Sequence, residues 1–192
     1  MKNILILNGH PDRESFNAAL AAAYKQGAED AGASVTEIFI ADLIFNPNLQ
    51  YGYRKRMELE PDLQYAWNCI QNAEHLVWVH PVWWGSMPAM MKGFIDRLFL
   101  PGMAFRYKEN SLWWNKLLSG KTGRIITTMD QPGWYYRFIY GRPSINQLKK
   151  CTLNFCGVSP VRVTSIGIVK ISDTEKRAKW LRKAYELGAA LR

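Results

Sequence analysis

The 192-residue sequence predicts an α/β fold in which one parallel sheet carries helices on both faces. Two observations support this fold class. Five short apolar runs alternate with amphipathic stretches along the chain. The third run, residues 76–79, shows no apolar–polar alternation, which indicates a strand buried on both faces. A chain of this length is expected to form one domain, residues 1–192.

The elements are expected in strict alternation. The predicted strands cover residues 2–8, 34–40, 76–79, 123–129 and 161–166. The predicted helices cover residues 17–31, the stretch from Pro61, residues 87–99, residues 145–157 and the stretch after Ser172. Pro61 suits a first helical turn, and the run Ser172-Asp173-Thr174-Glu175 is typical of a capping box. Residues 41–60 lack a clean period and predict a long loop.

Composition excludes several classes of protein. A hydrophobic fraction of 48% and a charged fraction of 21% do not fit a disordered, collagen-like or coiled-coil chain. No apolar run approaches the roughly 18 residues that a membrane span needs. The cysteines Cys69, Cys151 and Cys156 are odd in number and have no metal-ligand spacing, which favours the reduced cytoplasm over a disulfide framework.

The charge of the chain is unevenly distributed. The net charge is +9, yet residues 1–100 hold 8 basic and 11 acidic side chains, while residues 101–192 hold 17 and 5. A basic chain with 8 tryptophans could bind nucleic acid or a planar, anionic cofactor. The basic residues are spread over loops and helices, and the aromatic ones follow strand ends, so nucleic-acid binding is the weaker hypothesis.

The loops that follow the strands carry the chemistry. In such sheets ligands bind beyond the carboxyl ends of the strands. Residues 9–17 lack G-x-G-x-x-G and Walker patterns but offer polar side chains and N–H groups at a helix start, which suit a phosphate. The alternative is that Ser15 or Asn17 only caps the helix. His75 begins a strand at the opposite edge, and we expect it to make a local hydrogen bond.

Two further loops combine aromatic and polar residues. Trp83 and Trp84 follow the third strand, and with Gly85 they would suit a flat heteroaromatic ring. The alternative is that the tryptophan pair belongs to the core. The loop after the fourth strand, residues 127–137, is again polar and aromatic. Since no paired carboxylates, G-x-S-x-G or metal constellation occurs, the site is expected to hold a cofactor that supplies the chemistry.

These loops resemble the flavodoxin-like NAD(P)H:quinone oxidoreductases, the DT-diaphorase group and its bacterial relatives. The matching segments are His10-Pro11, Ser15-Phe16-Asn17, residues 81–89, residues 92–99, Ala104-Phe105, Thr127-Thr128 and Phe155-Cys156-Gly157. The resemblance covers nearly the whole chain. It implies a flavodoxin-like, doubly wound five-stranded parallel sheet with strand order 2-1-3-4-5.

The resemblance also implies roles for particular residues. The flavin diphosphate would be held by His10, Ser15, Phe16 and Asn17. The isoalloxazine ring would meet main-chain groups of Pro81, Val82, Trp83, Trp84 and Gly85, and the ribityl chain would meet Thr127 and Thr128. The family's catalytic tyrosine matches Tyr135, with Tyr136 as the alternative. Met129-Asp130 stands where many members have Gly-Gly, and a histidine that some members carry nearby is absent.

The activity implied is a two-electron, ping-pong transfer of hydride from NADPH or NADH, through FAD or alternatively FMN, to a quinone or a similar planar acceptor. The resemblance implies a homodimer with the site at the subunit boundary. The alternatives are a regulatory flavodoxin-like subunit of a potassium efflux system, an azo or nitro reductase, and a flavodoxin-type electron carrier. The carrier is disfavoured, because such carriers are typically acidic.

Overall fold

A computed structural model describes residues 1–191 and contains the predicted parallel sheet. Its strands, β1 to β7, are Asn3–Asn8, Ser34–Phe39, His75–Pro81, Phe105–Tyr107, Trp114–Lys116, Thr122–Thr128 and Val161–Ile166. Five of them form one parallel sheet in the order β2-β1-β3-β6-β7. This order confirms the predicted flavodoxin-like topology. The winding direction reverses between β1 and β3, which is where open α/β sheets bind ligands.

The helices cover both faces of this sheet. Helices α1 to α6 are Phe16–Asp30, Pro61–Asn72, Ala89–Leu98, Gly133–Phe138, Pro143–Asn146 and Thr174–Ala189. Helix α5 continues as a π-helix over Gln147–Asn154, and a short 3₁₀ turn covers Ile40–Asp42. The first core packs α2, α3 and the π-helix against one face, and the second packs α1 and α6 against the other.

Helices α1 and α6 approach each other closely at two glycines. A Cβ atom on Gly188 would lie 2.0 Å from the Tyr24 carbonyl oxygen, and one on Gly27 would lie 2.1 Å from the Tyr185 carbonyl oxygen. Only glycine permits these backbone contacts. The close pair therefore sets the distance between α1 and α6.

The segment between residues 43 and 60 is largely irregular, as predicted, but it is fastened to α3. The Arg97 guanidinium donates to the carbonyl oxygens of Asn46 and Glu58 and to both carboxylate oxygens of Glu60. The Arg97 side chain is only 1% exposed. A bidentate, charge-assisted contact of this kind fixes the segment in one position.

Three local features differ from the sequence prediction. Residues 105–116 contain the antiparallel hairpin β4–β5, and α4 interrupts the expected loop after β6. The capping residue of α6 is Asp173, not Ser172: its carboxylate accepts the Lys176 N–H at 2.8 Å. Ser172 instead donates its hydroxyl to the Val169 carbonyl oxygen, and the residue three positions after Asp173 is Lys176, so the predicted capping box does not form.

Candidate functional site

The three predicted loops meet at the carboxyl edge of the sheet. Strands β1, β3 and β6 end side by side, with Asn8 opposite Val79 and Pro81 opposite Thr128. Backbone hydrogen bonds continue beyond the strands: the Gly9 N–H donates to the Val79 carbonyl oxygen at 2.8 Å, and the Val82 N–H donates to the Thr128 carbonyl oxygen at 2.7 Å. The loops are therefore joined into one surface.

The first loop is ordered by its own polar groups. The His10 N–H donates to Asn8 Oδ1 at 3.1 Å, and His10 Nδ1 accepts the Asp12 N–H at 3.0 Å. Ser15 is the N-cap of α1, and its hydroxyl accepts the Ala18 N–H at 3.2 Å. The next two amides, of Phe16 and Asn17, belong to the first helical turn, which offers donors and partial positive charge to an anion.

A buried hydrogen bond links this loop to β6. Asn17 Nδ2 lies 2.9 Å from Thr128 Oγ1, and both residues are buried. Thr127 points to the opposite face, because side chains alternate along a strand. Its buried hydroxyl has no hydrogen-bond partner within residues 1–191. The two threonines therefore differ: the Thr128 side chain supports the first loop, and the Thr127 side chain does not.

The tryptophan pair forms an exposed turn. Trp83 and Ser86 exchange two backbone hydrogen bonds of 2.9 Å, and the residues between them, Trp84 and Gly85, have φ angles of 50° and 78°. Positive φ at both central positions is the type I′ geometry. Trp84 is fully exposed and Trp83 is 45% exposed, so the alternative that the pair is core is wrong. The Trp83 ring meets the His10 ring edge-on, with centroids 5.5 Å apart.

The two candidate tyrosines have different surroundings. Tyr136 is buried, and its hydroxyl accepts the Ser144 N–H at 3.1 Å. Burial raises the pKa of this phenol. Tyr135 is partly exposed, and its ring lies 5.2 Å from that of Tyr140. The Tyr136 hydroxyl is thus engaged in holding the backbone, whereas Tyr135 lies nearer the solvent.

A cleft of about 550 Å³ opens between the tryptophan turn and the residues that flank α4. It is lined by Val82, Trp83, Trp84, Gly85, Gln131, Tyr140 and Pro143. The Ser144 N–H donates to the Gly85 carbonyl oxygen at 3.1 Å and so ties the turn to the start of α5. Sequence reasoning did not single out Gln131, Tyr140 or Pro143 as ligand contacts. The feature of the sequence that could have indicated them is their position after β6, the fourth strand of the sheet along the chain.

Two histidines of β3, His75 and His80, are buried and make local contacts. His75 Nδ1 lies 2.7 Å from Thr122 Oγ1 at the opposite edge of the sheet, which confirms the expected local contact. His80 Nδ1 lies 2.9 Å from the Pro81 carbonyl oxygen beneath the cleft. Burial lowers the pKa of His75 to about 3 and the pKa of His80 to about 4, so both rings are neutral near pH 7.

Residues 1–191 contain no group of three or more His, Cys, Asp or Glu side chains placed to hold a metal ion. Among those same residues, no helix is both long enough and apolar enough to cross a membrane.

Fold and site together define a ligand-binding α/β protein whose loops suit an anionic group beside a planar ring. A sequence profile described as flavodoxin-like fold matches residues 2–187, and the chain belongs to this family. An uncharacterized NAD(P)H oxidoreductase of Haemophilus influenzae is 26% identical, over 96% of this chain and 93% of its own. The mouse ribosyldihydronicotinamide dehydrogenase [quinone] is 24% identical, over 95% and 90%. The predicted resemblance to the NAD(P)H:quinone oxidoreductases is thereby confirmed.

Solved structures share the same architecture. The NAD(P)H:quinone oxidoreductase of Methanothermobacter marburgensis superposes with a TM-score of 0.83 at 22% identity, covering 100% of this chain and 99% of the other. An FMN-dependent NADH-azoreductase of Bacillus anthracis, in complex with FMN, superposes with a TM-score of 0.74 at 18% identity, covering 100% and 99%. These two likenesses concern the fold.

Proposed function

We propose that the protein is a flavin-dependent NAD(P)H:quinone oxidoreductase. The observation that carries this proposal is the meeting of three loops at the point where the sheet reverses its winding, with first-turn amides on one side and an aromatic cleft on the other. The names of the curated relatives, which are NAD(P)H oxidoreductases and a quinone dehydrogenase, support the same activity.

The described residues fit a flavin. His10, Ser15 and the amides of Phe16 and Asn17 would hold its phosphate groups, because helix N-termini stabilise anions. Backbone groups of residues 81–85 and of Thr127 and Thr128 would line the ring system. The cleft of about 550 Å³ lies within the size range of small-molecule sites. We propose FAD as the cofactor, with FMN as the alternative.

In this mechanism the protein mainly binds and orients. A flavin held by these residues would supply two-electron chemistry between NADPH or NADH and the acceptor. Trp83 and Trp84 would hold each planar substrate over the ring and exclude water, and Tyr135 would donate a hydrogen bond where negative charge develops. Because both substrates would use one cleft in turn, we expect ping-pong kinetics.

The exposed walls of the cleft favour a broad range of flat acceptors. A quinone is the proposed substrate, and azo compounds are a second candidate because an azoreductase shares the fold. We propose a homodimer whose second subunit completes the open side of the cleft. We also propose a cytoplasmic location, which suits the free thiols of Cys69, Cys151 and Cys156.

The decisive experiment is to purify the protein, record its absorption spectrum and identify the released flavin by chromatography. We expect a yellow protein carrying FAD or FMN that oxidises NAD(P)H with menadione and gives parallel double-reciprocal plots. A colourless protein that takes up neither flavin would overturn the proposal. A flavoprotein that reduces azo dyes but not menadione would replace the quinone with the azo substrate.

A further inference from the structure

His80 is a polar side chain in an apolar part of the sheet. It is fully buried, and burial lowers the pKa of its ring to about 4, so the ring is neutral at pH 7. The preceding side chains on the same face of β3, Leu76 and Trp78, belong to the first core. A buried ring nitrogen costs free energy unless it makes a hydrogen bond. Packing alone would favour an apolar residue here, so the reason for a histidine lies in its hydrogen bond.

The hydrogen bond of His80 is with the main chain of the next residue. Its Nδ1 lies 2.9 Å from the Pro81 carbonyl oxygen. Because a carbonyl oxygen can only accept, Nδ1 carries the proton of the neutral ring. Nε2 is then an unprotonated acceptor, and it has no partner within residues 1–191. The polar chemistry of this ring is therefore directed at the Pro81 carbonyl group.

This contact fixes one peptide group from both sides. The peptide between Pro81 and Val82 accepts the His80 Nδ1–H on its oxygen and donates its own N–H to the Thr128 carbonyl oxygen at 2.7 Å. A peptide group is planar, so two such bonds fix its orientation. This peptide lies where β3 ends and the loop with the tryptophan pair begins.

The tryptophan turn continues directly from this peptide. Trp83 and Ser86 close the turn with two backbone hydrogen bonds of 2.9 Å. The N–H groups between them, those of Trp84 and Gly85, donate to no backbone group in the part of the chain that the structure describes. The proposed function assigns this segment to the flavin ring. The orientation of the peptide that precedes the turn therefore sets where these two N–H groups stand.

We infer that His80 is a positioning residue for the flavin ring: its Nδ1–H holds the Pro81 carbonyl group and so orients the loop whose main-chain groups would meet the ring. The inference rests on the proposed function and adds to it a residue that acts through the main chain. The geometry requires an N–H donor at the position of Nδ1, and any side chain that places one there should serve.

The test is the affinity of the full chain, freed of flavin, for FAD and for FMN, measured by the change in flavin fluorescence on binding. His80→Leu removes the donor and leaves the Pro81 carbonyl oxygen unpaired, so we expect the dissociation constant to rise about tenfold. His75→Leu is the matched control. His75 is also a buried histidine of β3, but it contacts Thr122 at the opposite edge of the sheet, so the dissociation constant should not change.

Two amide variants separate the hydrogen bond from the packing of the ring. An asparagine amide nitrogen can take the position of Nδ1, whereas a glutamine amide nitrogen reaches toward the position of Nε2. His80→Asn should restore the dissociation constant to within about twofold of the wild-type value, and His80→Gln should not. Packing alone predicts the reverse order, because glutamine is closer to histidine in volume. Circular dichroism verifies that each variant folds.

A measurement on the wild-type protein tests the tautomer without any substitution. Nitrogen NMR spectroscopy should place the ring proton of His80 on Nδ1 near neutral pH. A proton on Nε2, an unchanged flavin affinity in His80→Leu, an equal loss in His75→Leu, or better recovery in His80→Gln than in His80→Asn would each overturn the inference. A wild-type chain that binds neither flavin would overturn the proposed function and this inference together.

Discussion

Two irregular segments of this protein are held in very different ways. Residues 43–60 contact α3 through Arg97, which donates to two backbone carbonyl oxygens and to the Glu60 carboxylate. Residues 129–142 are held by backbone hydrogen bonds at their start and by the buried Tyr136 hydroxyl. The first segment is fastened by an ion pair whose guanidinium is buried, and the second mainly by neutral hydrogen bonds.

This difference indicates which of the two segments is held more rigidly. A bidentate guanidinium–carboxylate pair fixes both position and orientation. A single neutral hydrogen bond contributes only about 1 kcal/mol. The second segment carries two of the residues that line the cleft, Gln131 and Tyr140.

Replacing Arg97 should be the most damaging change. Arg97→Leu leaves Glu60 and two carbonyl oxygens without their donor, and we expect a loss of about 3–5 kcal/mol in the free energy of unfolding. Urea denaturation at pH 7 measures it. Arg106→Leu, at an exposed arginine of β4, is the matched control and should cost less than about 0.5 kcal/mol. Equal losses in both variants would contradict a fastening role for Arg97.

The same ion pair predicts an acid dependence. Burial raises the pKa of Glu60, but the hydrogen bonds from Arg97 and Asn46 lower it by a larger amount. The pKa of this carboxyl group therefore lies below its ordinary value of 4.5. A carboxylate with a lowered pKa stabilises the fold above 4.5 and loses that contribution as the pH falls below it. The free energy of unfolding of the wild-type protein should therefore fall as the pH drops below 4.5. The corresponding fall in Arg97→Leu should be smaller, because this variant lacks the ion pair.

Acid should also act on the two buried histidines, which stand near opposite ends of β3. Because burial lowers the pKa values of His75 and His80 to about 3 and about 4, the unfolded chain binds these protons first. Their contribution is present above the unfolded value of about 6.5 and is lost as the pH falls toward 4. We expect a loss on the order of 1–2 kcal/mol per histidine by pH 5. A free energy of unfolding that stays constant from pH 7 to pH 5 would exclude this effect.

The adjacent tyrosines offer a matched pair of smaller changes. Tyr136→Phe removes the acceptor of the Ser144 N–H, and we expect a loss of about 1 kcal/mol in the free energy of unfolding. Tyr135→Phe should leave stability unchanged and lower kcat for quinone reduction, if its hydroxyl assists the transfer. Urea denaturation and steady-state kinetics of both variants test the assignment. The reverse pattern would assign the catalytic role to Tyr136.

The smallest effect on stability is expected at the tryptophan turn. Trp83 is partly exposed, so Trp83→Ala should change the free energy of unfolding by less than about 1 kcal/mol. We expect kcat/KM for menadione to fall about tenfold, which corresponds to about 1.4 kcal/mol of transition-state binding. Trp113→Ala, at an exposed tryptophan of the hairpin region, is the control and should alter neither quantity. If Trp83→Ala is unfolded at 25 °C, Trp83 contributes to the core and not only to ligand binding.

Much of the fold could be predicted because its signals are local. The run at residues 76–79 lies in a strand whose seven residues, His75–Pro81, are all buried. The apolar spacing between Met87 and Phe99 gave α3 within two residues at either end. Side-chain periodicity depends on backbone geometry over a few residues, so a single sequence reveals it. The β4–β5 hairpin escaped prediction because its strands have three residues each.

The sequence by itself determined the order of strands and helices and the loops where ligand-binding residues would concentrate. The surroundings of each neighbouring pair came from the packed structure: Thr128 bonds Asn17 while Thr127 points to the opposite face, and Tyr136 is buried while Tyr135 is not. It also placed Arg97, a residue type that is almost never fully buried unless paired, in the interior against Glu60, 37 positions away. Such contacts join distant parts of the chain, and their geometry is set by how the helices pack on the sheet, which local periodicity does not contain.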